Sequence, residues 1–160
     1  MENFEKIKEE ICTHVCRAKR LDNGEWVYGS LILSGDANEG WEAIIIPVIN
    51  SHMVHNLDSN DLRFGAWFQV DPKTICHCVG KLCDKYVWEN DIVKKEFYTD
   101  YDNCANSEEY IGIIKVTDCA WVIETIRDKC IRPIFEAMSY SEDVKHFEII
   151  GNVFDNPELL

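Results

Sequence analysis

From Trp26 to Phe154 the chain is a succession of short β-branched and aromatic runs cut apart by turn residues. That punctuation limits the fold more than anything else in the sequence. Runs of this kind pair as antiparallel strands, whereas parallel βαβ units need a connection of about a dozen residues or more. Leu21-Asp22-Asn23-Gly24-Glu25 is the clearest turn, because Asn-Gly accepts the positive φ of a tight hairpin, and Trp26 to Leu33 follows it as a strand. Ser34 to Gly40 reads as a second polar turn, and Trp41 to Ile49 as a mostly buried strand.

The rest of the chain is read in the same way. Asn50 to Leu62 is polar without a clear period and is taken as a loop, followed by a strand over Arg63 to Val70 that ends at Asp71-Pro72. Thr74 to Gly80 is a strand, Lys81 to Lys85 a turn, Val87 to Phe97 a sheet segment, and Tyr98 to Glu109 an acidic loop. Ile111 to Val116 and Ala120 to Ile126 are strands joined at Thr117-Asp118. Arg127 to Met138 suggests a short helix interrupted at Pro133, and His146 to Phe154 a last strand bent at Gly151. At the N-terminus, Phe4, Ile7 and Ile11 recur at helical spacing, while Ile11 to Lys19 fits helix or strand equally. The sum is about seven to nine short strands and one or two short helices, which argues for a mainly β, barrel-like domain with α+β as the variant. Two subdomains would meet near Asp100.

Composition narrows the function classes. In 160 residues, 46% of them apolar, there is material for one sizeable core. The longest apolar stretch, Ala43 to Ile49, is far short of a membrane span, and Met1 to Lys6 lacks the cationic start of a signal peptide. A reducing cytoplasmic location is therefore expected, and with it eight cysteines that are mostly buried thiols rather than a disulfide framework. The net charge is −13, from 29 acidic and 16 basic residues. Leu21 to Leu62 holds seven acids (Asp22, Glu25, Asp36, Glu39, Glu42, Asp58, Asp61) and no Lys or Arg. Asp84 to Glu109 adds eight acids against Lys85, Lys94 and Lys95. Contact with a phosphate backbone needs clustered cations, so direct nucleic-acid binding is disfavoured.

Two cysteine groups invite a metal reading, Cys12-Thr13-His14-Val15-Cys16 and Cys76-His77-Cys78. Zinc requires ligands that converge on one point. On a helix Cys12 and Cys16 would converge; on a strand they would stand roughly 13 Å apart, too far to share an ion. Neither group has C-x-x-C spacing. No metal ligand, catalytic residue or cofactor is therefore assigned, although a zinc module or metal-dependent enzyme using Cys12, Cys16, Cys76 and Cys78 stays open as an alternative. The chain has no nucleophile elbow, phosphate loop, dinucleotide fingerprint or His-Glu-x-x-His helix. The aromatics Trp26, Tyr28, Trp41, Trp67, Phe68, Trp88 and Trp121 are expected to fill the core, or to present a binding platform if exposed.

Four blocks in order carry a resemblance: Arg17-Ala18-Lys19-Arg20-Leu21-Asp22-Asn23-Gly24-Glu25-Trp26-Val27-Tyr28-Gly29, Val70-Asp71-Pro72-Lys73-Thr74-Ile75, Trp88-Glu89-Asn90-Asp91-Ile92-Val93, and Phe147 to Leu160 with Ile150-Gly151-Asn152 and Asn156-Pro157-Glu158-Leu159-Leu160. With them the chain resembles the YopX family of phage and prophage proteins. Asn90 stands where that family's pattern has glycine, and Asn can keep the same turn. The resemblance implies a mainly β, SH3-like or barrel-type domain over 17–160 behind an N-terminal extension, 1–16, of helical character. It supplies no catalytic residue. The expected function is that of a non-enzymatic accessory protein in the host cytoplasm, binding a protein partner and able to self-associate as an oligomer. A second alternative is that the acidic 21–62 surface imitates nucleic acid.

Overall fold

A computed structural model describes residues 15–34, 42–47, 53–56, 61–64, 66–82, 85–101, 104–117, 120–134 and 147–160; at 53–56, 61–64, 97–101 and 104–108 only the backbone is considered. The expected helix over Asn3 to Glu10, the turn at 35–40 and Trp41 lie outside these residues. The fold is mainly β, as expected, and is built from antiparallel pairs throughout. Its strands are β1 (Cys16–Lys19), β2 (Trp26–Leu33), β3 (Ala43–Pro47), β4 (Met53–Asn56), β5 (Asp61–Phe64), β6 (Phe68–Gln69), β7 (Cys76–Leu82), β8 (Lys85–Trp88), β9 (Asp91–Tyr101), β10 (Cys104–Val116), β11 (Trp121–Thr125), β12 (Ile131–Pro133) and β13 (Phe147–Asn152). They form a six-stranded sheet in the order β6-β3-β2-β1-β7-β8, a five-stranded sheet in the order β12-β11-β10-β9-β13, and a β4-β5 ribbon. Both sheet orders run from one edge strand to another among the described residues.

The chain divides into two compact units at Cys78/Val79, not near Asp100, which lies inside the long β9-β10 hairpin. In unit 1, the Asn23-Gly24 turn behaves as its sequence requires. Gly24 has φ +74°, its N–H donates to the Arg20 carbonyl at 3.0 Å, and β1 pairs with β2 from Lys19 opposite Trp26 to Cys16 opposite Gly29. Gly29 is required for packing, since a Cβ there would fall on the Ile46 carbonyl. Alternation then sorts the residues. Cys16, Ala18, Val27, Ala43, Ile45 and Val70 form the core of unit 1, with Leu31, Phe68 and Ile75 packed against it. Asp71-Pro72 ends the preceding strand as expected. The Asp71 carboxylate accepts from Lys73 N at 3.0 Å and caps the single 3-10 turn Pro72–Thr74.

Unit 2 has its own core of Val87, Val93, Ile114, Ile123 and Ile134, joined by Tyr110, Trp121, Phe147 and Ile149. Asn90 has φ +66°, so the turn between β8 and β9 is the one anticipated for an asparagine at a glycine position. The bend in the last strand is also present, as a register shift between Ile149 and Gly151 opposite β9.

Four expectations are corrected. The loop over Asn50 to Leu62 contains β4 and the first half of β5, and the acidic loop over Tyr98 to Glu109 is the distal part of the β9-β10 hairpin. In both places pairing partners close in sequence supply the backbone hydrogen bonds, and backbone pairing of this kind needs no one-sided apolar period in the sequence. The short helix over Arg127 to Met138 is instead a turn and a strand in its described part. Lys129 turns with φ +55°, and β12 pairs with β11 from Glu124 opposite Ile131 to Val122 opposite Pro133. Proline is tolerated there because β12 is an edge. Finally, the aromatics are not the main core filling. Trp88 is buried, but Trp26, Phe68 and Trp121 are half-buried and Tyr28 and Trp67 are exposed, while Ile and Val make the interior.

Candidate functional site

The cysteines do not assemble as the metal alternative requires. Cys12 lies outside the described residues. Cys16 and Cys76 are reduced and buried, yet they occupy opposite faces of the sheet. Arg17 is paired with Cys76, so Cys76 shares the face of Arg17, while Cys16 points with Ala18 into the core. Cys76 Sγ donates to the Thr74 carbonyl at 3.3 Å. Cys78 is disulfide-bonded, which corrects its reading as a thiol and removes it as a thiolate ligand. Among the described residues no group of His, Cys, Asp and Glu could hold a metal ion. Cys130 is an exposed thiol, an exception to the mostly buried cysteines expected. The Asp128 carboxylate beside it pushes its pKa up, which disfavours the thiolate that a nucleophile needs.

The side chains that do converge in unit 1 are cations and aromatics. β1 alternates: Cys16 and Ala18 are core residues, so Arg17 and Lys19 project from the other face. The Asn-Gly hairpin sets the register that places Lys19 opposite Trp26 and Arg17 opposite Tyr28. Arg17 Cζ lies 4.7 Å and Lys19 Nζ 5.5 Å from the Trp26 ring centroid, both within cation–π range. Arg17 is buried, Trp26 half-buried and Tyr28 45% exposed. Further along the same face of β2 comes Ile32, also exposed. The strand beneath is pinned, because Lys19 N donates to Thr74 Oγ1 at 2.9 Å and the Lys19 carbonyl accepts from Asp71 N at 2.8 Å.

Arg20 has a different role. Its guanidinium stacks 4.0 Å from the Phe68 ring and grips Asp22 through Nε and Nη2 at 2.9 and 2.5 Å. That contact holds the Asp22 carboxyl below its ordinary range. Counting charge over long blocks hides this patch, because Arg17, Lys19 and Arg20 immediately precede the acidic block that begins at Leu21. The available signal was local: two cations at i and i+2 on one arm of an Asn-Gly hairpin, facing Trp and Tyr at i and i+2 on the other.

Unit 2 carries a second unusual side chain. On β9, Val93 and Lys95 face inward while Lys94 and Glu96 face outward. Outside, Lys94 Nζ pairs with Glu109 at 2.7 Å, which raises the lysine pKa, and Lys115 pairs with Glu124 at 2.5 Å, which lowers that of the carboxyl. Inside, Lys95 is only 1% exposed and donates to the Ile134 carbonyl at 2.9 Å. Its cross-strand neighbours are Tyr110 on β10 and Phe147 on β13. In the sequence Lys95 is one of three lysines in the acidic 84–109 block, and nothing in Lys94-Lys95 distinguishes the two.

Compared with known proteins, the chain matches the family model described as YopX protein over residues 15–160. No curated protein and no solved structure matches it.

Proposed function

The chain belongs to the YopX family, and on that premise we propose that it is a non-enzymatic accessory protein of a phage or prophage, binding a protein partner through the β1-β2 face of unit 1. The observation that carries the reading is the stack of Arg17 and Lys19 on Trp26 with Tyr28 exposed beside it, in a chain of net charge −13. Arg, Trp and Tyr are the residue types that dominate binding energy at protein interfaces, because each combines a large apolar area with a directed polar group. Holding the cations over a ring restricts them before any partner arrives, which lowers the ordering cost of association. The partner segment best suited to this face presents carboxylates next to aliphatic side chains.

The reading is tested by isolating partners from host cells that carry the phage or prophage, with wild-type protein and with the Lys19→Glu/Tyr28→Ala double variant. Circular dichroism reports whether the variant is folded. A partner retained by wild type and lost from the folded variant supports the face. Equal recovery by both, or a hydrolytic activity abolished by one point substitution, overturns it. Imitation of nucleic acid by the 21–62 surface fits less well. Asp22 is neutralised by Arg20, and the Glu25 carboxylate accepts from the Asn23 side-chain amide at 2.8 Å.

A further inference from the structure

Lys95 is the most deeply buried long charged side chain among the described residues, and none of the other described residues neutralises it. At 1% exposure its Nζ donates to one neutral acceptor, the Ile134 carbonyl at 2.9 Å, and no carboxylate pairs with it among the described residues. An ammonium group has three donors and a full charge, and burying it beside a carbonyl alone is costly. A second cation stands close by. Arg132 lies two residues before Ile134, opposite Ile123 of the unit 2 core, so it faces inward from β12. Its Cζ is 5.3 Å from the Tyr110 ring centroid, and Tyr110 is the direct cross-strand neighbour of Lys95. Two like charges are thus brought to the same aromatic on the inward face of one sheet.

We propose that this face of unit 2 is a binding site for a small oxyanion, a phosphate or carboxylate group, held by Lys95 Nζ and the Arg132 guanidinium beside Tyr110. Such a ligand supplies the counter-charge that the Ile134 carbonyl cannot, and its oxygens accept charge-assisted hydrogen bonds from both cations. Entry is at β12, a three-residue strand at the edge of its sheet and the strand of that sheet with the fewest ladder pairs to break. The site is distinct from the β1-β2 face and does not depend on it.

The experiment is calorimetric titration and thermal melting of the full chain with inorganic phosphate and, separately, with acetate, against sodium chloride at matched ionic strength. Saturable binding with a raised melting temperature is expected for at least one anion. A response to phosphate alone identifies a phosphoryl ligand, and a response to acetate alone a carboxylate. Lys95→Met and Arg132→Gln should each weaken binding about 10- to 100-fold, the effect of losing one charged hydrogen bond. If Lys95→Met does not fold, Arg132→Gln at the sheet edge decides. No response to either anion in the wild type overturns the proposal, as does undiminished binding in the folded variants.

Discussion

In unit 1 the cations of β1 lie over an aromatic ring on the sheet face away from the core, whereas in unit 2 Lys95 turns into the core and meets a backbone carbonyl. Both arrangements follow from strand alternation. Arg17 and Lys19 have the opposite parity to Cys16 and Ala18, and Lys95 has the same parity as Val93. A strand assigns faces mechanically, without regard to whether the side chain suits the face it receives. Where the residue suits its face, as with Lys94 beside Glu109, the charge is solvated and pairs weakly. Where it does not, as with Lys95, an energetic cost is retained in the native state, and such places are candidates for function.

The comparison can be broken or sharpened by substitution, beginning with the two cores. Ile45→Ala in unit 1 and Ile114→Ala in unit 2 each remove a side chain with 0% exposure and should cost about 2–5 kcal/mol in denaturant melts. Hydrogen exchange should show the loss of protection concentrated in the unit that carries the substitution; equal loss across both would mean that the units unfold as one.

A smaller effect is expected at Gly29. Alanine there drives a methyl group into the Ile46 carbonyl and should cost about 1–3 kcal/mol by the same melts, because β2 and β3 must separate to admit it. At Asn90, where φ is +66°, Asn90→Val should cost about 1–2 kcal/mol while Asn90→Gly is tolerated. Equal effects of the two would mean that the β8-β9 turn does not need a left-handed residue.

The smallest effect concerns pH. The Thr125 hydroxyl and Cys130 lower the Asp128 pKa to about 2 from its ordinary 3.8. A carboxyl lowered in the folded state contributes stability that is present above pH 3.8 and is lost as pH falls through about 2. Thr125→Val removes the hydroxyl that donates to the Asp128 carboxylate, so the Asp128 carbon resonance should titrate nearer the ordinary value. An unchanged midpoint would show that the hydroxyl is not the cause.

Much of the fold was legible where a local rule acts alone. Asn23-Gly24 and Asn90 accept a positive φ, Asp71-Pro72 fixes φ and removes a donor, and Gly151-Asn152 interrupts a strand, and each marks the turn, cap or bend that the structure contains. The β4-β5 ribbon and the distal β9-β10 hairpin were missed because their backbone pairs without a one-sided apolar pattern. Ile131–Pro133 was missed because a proline next to apolar residues reads as a broken helix until an edge strand is known to be available. For the candidate site, the residues Arg17, Lys19, Trp26 and Tyr28 were visible, but block charge counts obscured the cations, and the aromatics had been expected in the core.

By itself, then, the chain determined its strand-and-turn grammar and its family, because turn chemistry and alternation act over a few neighbouring residues. Tertiary structure alone decided which face of each strand was covered. That choice separates Lys94 from Lys95, sets Cys16 and Cys76 on opposite sides of one sheet, and leaves Tyr28 in water. Coverage depends on pairing between strands distant in sequence, which no short stretch of residues encodes.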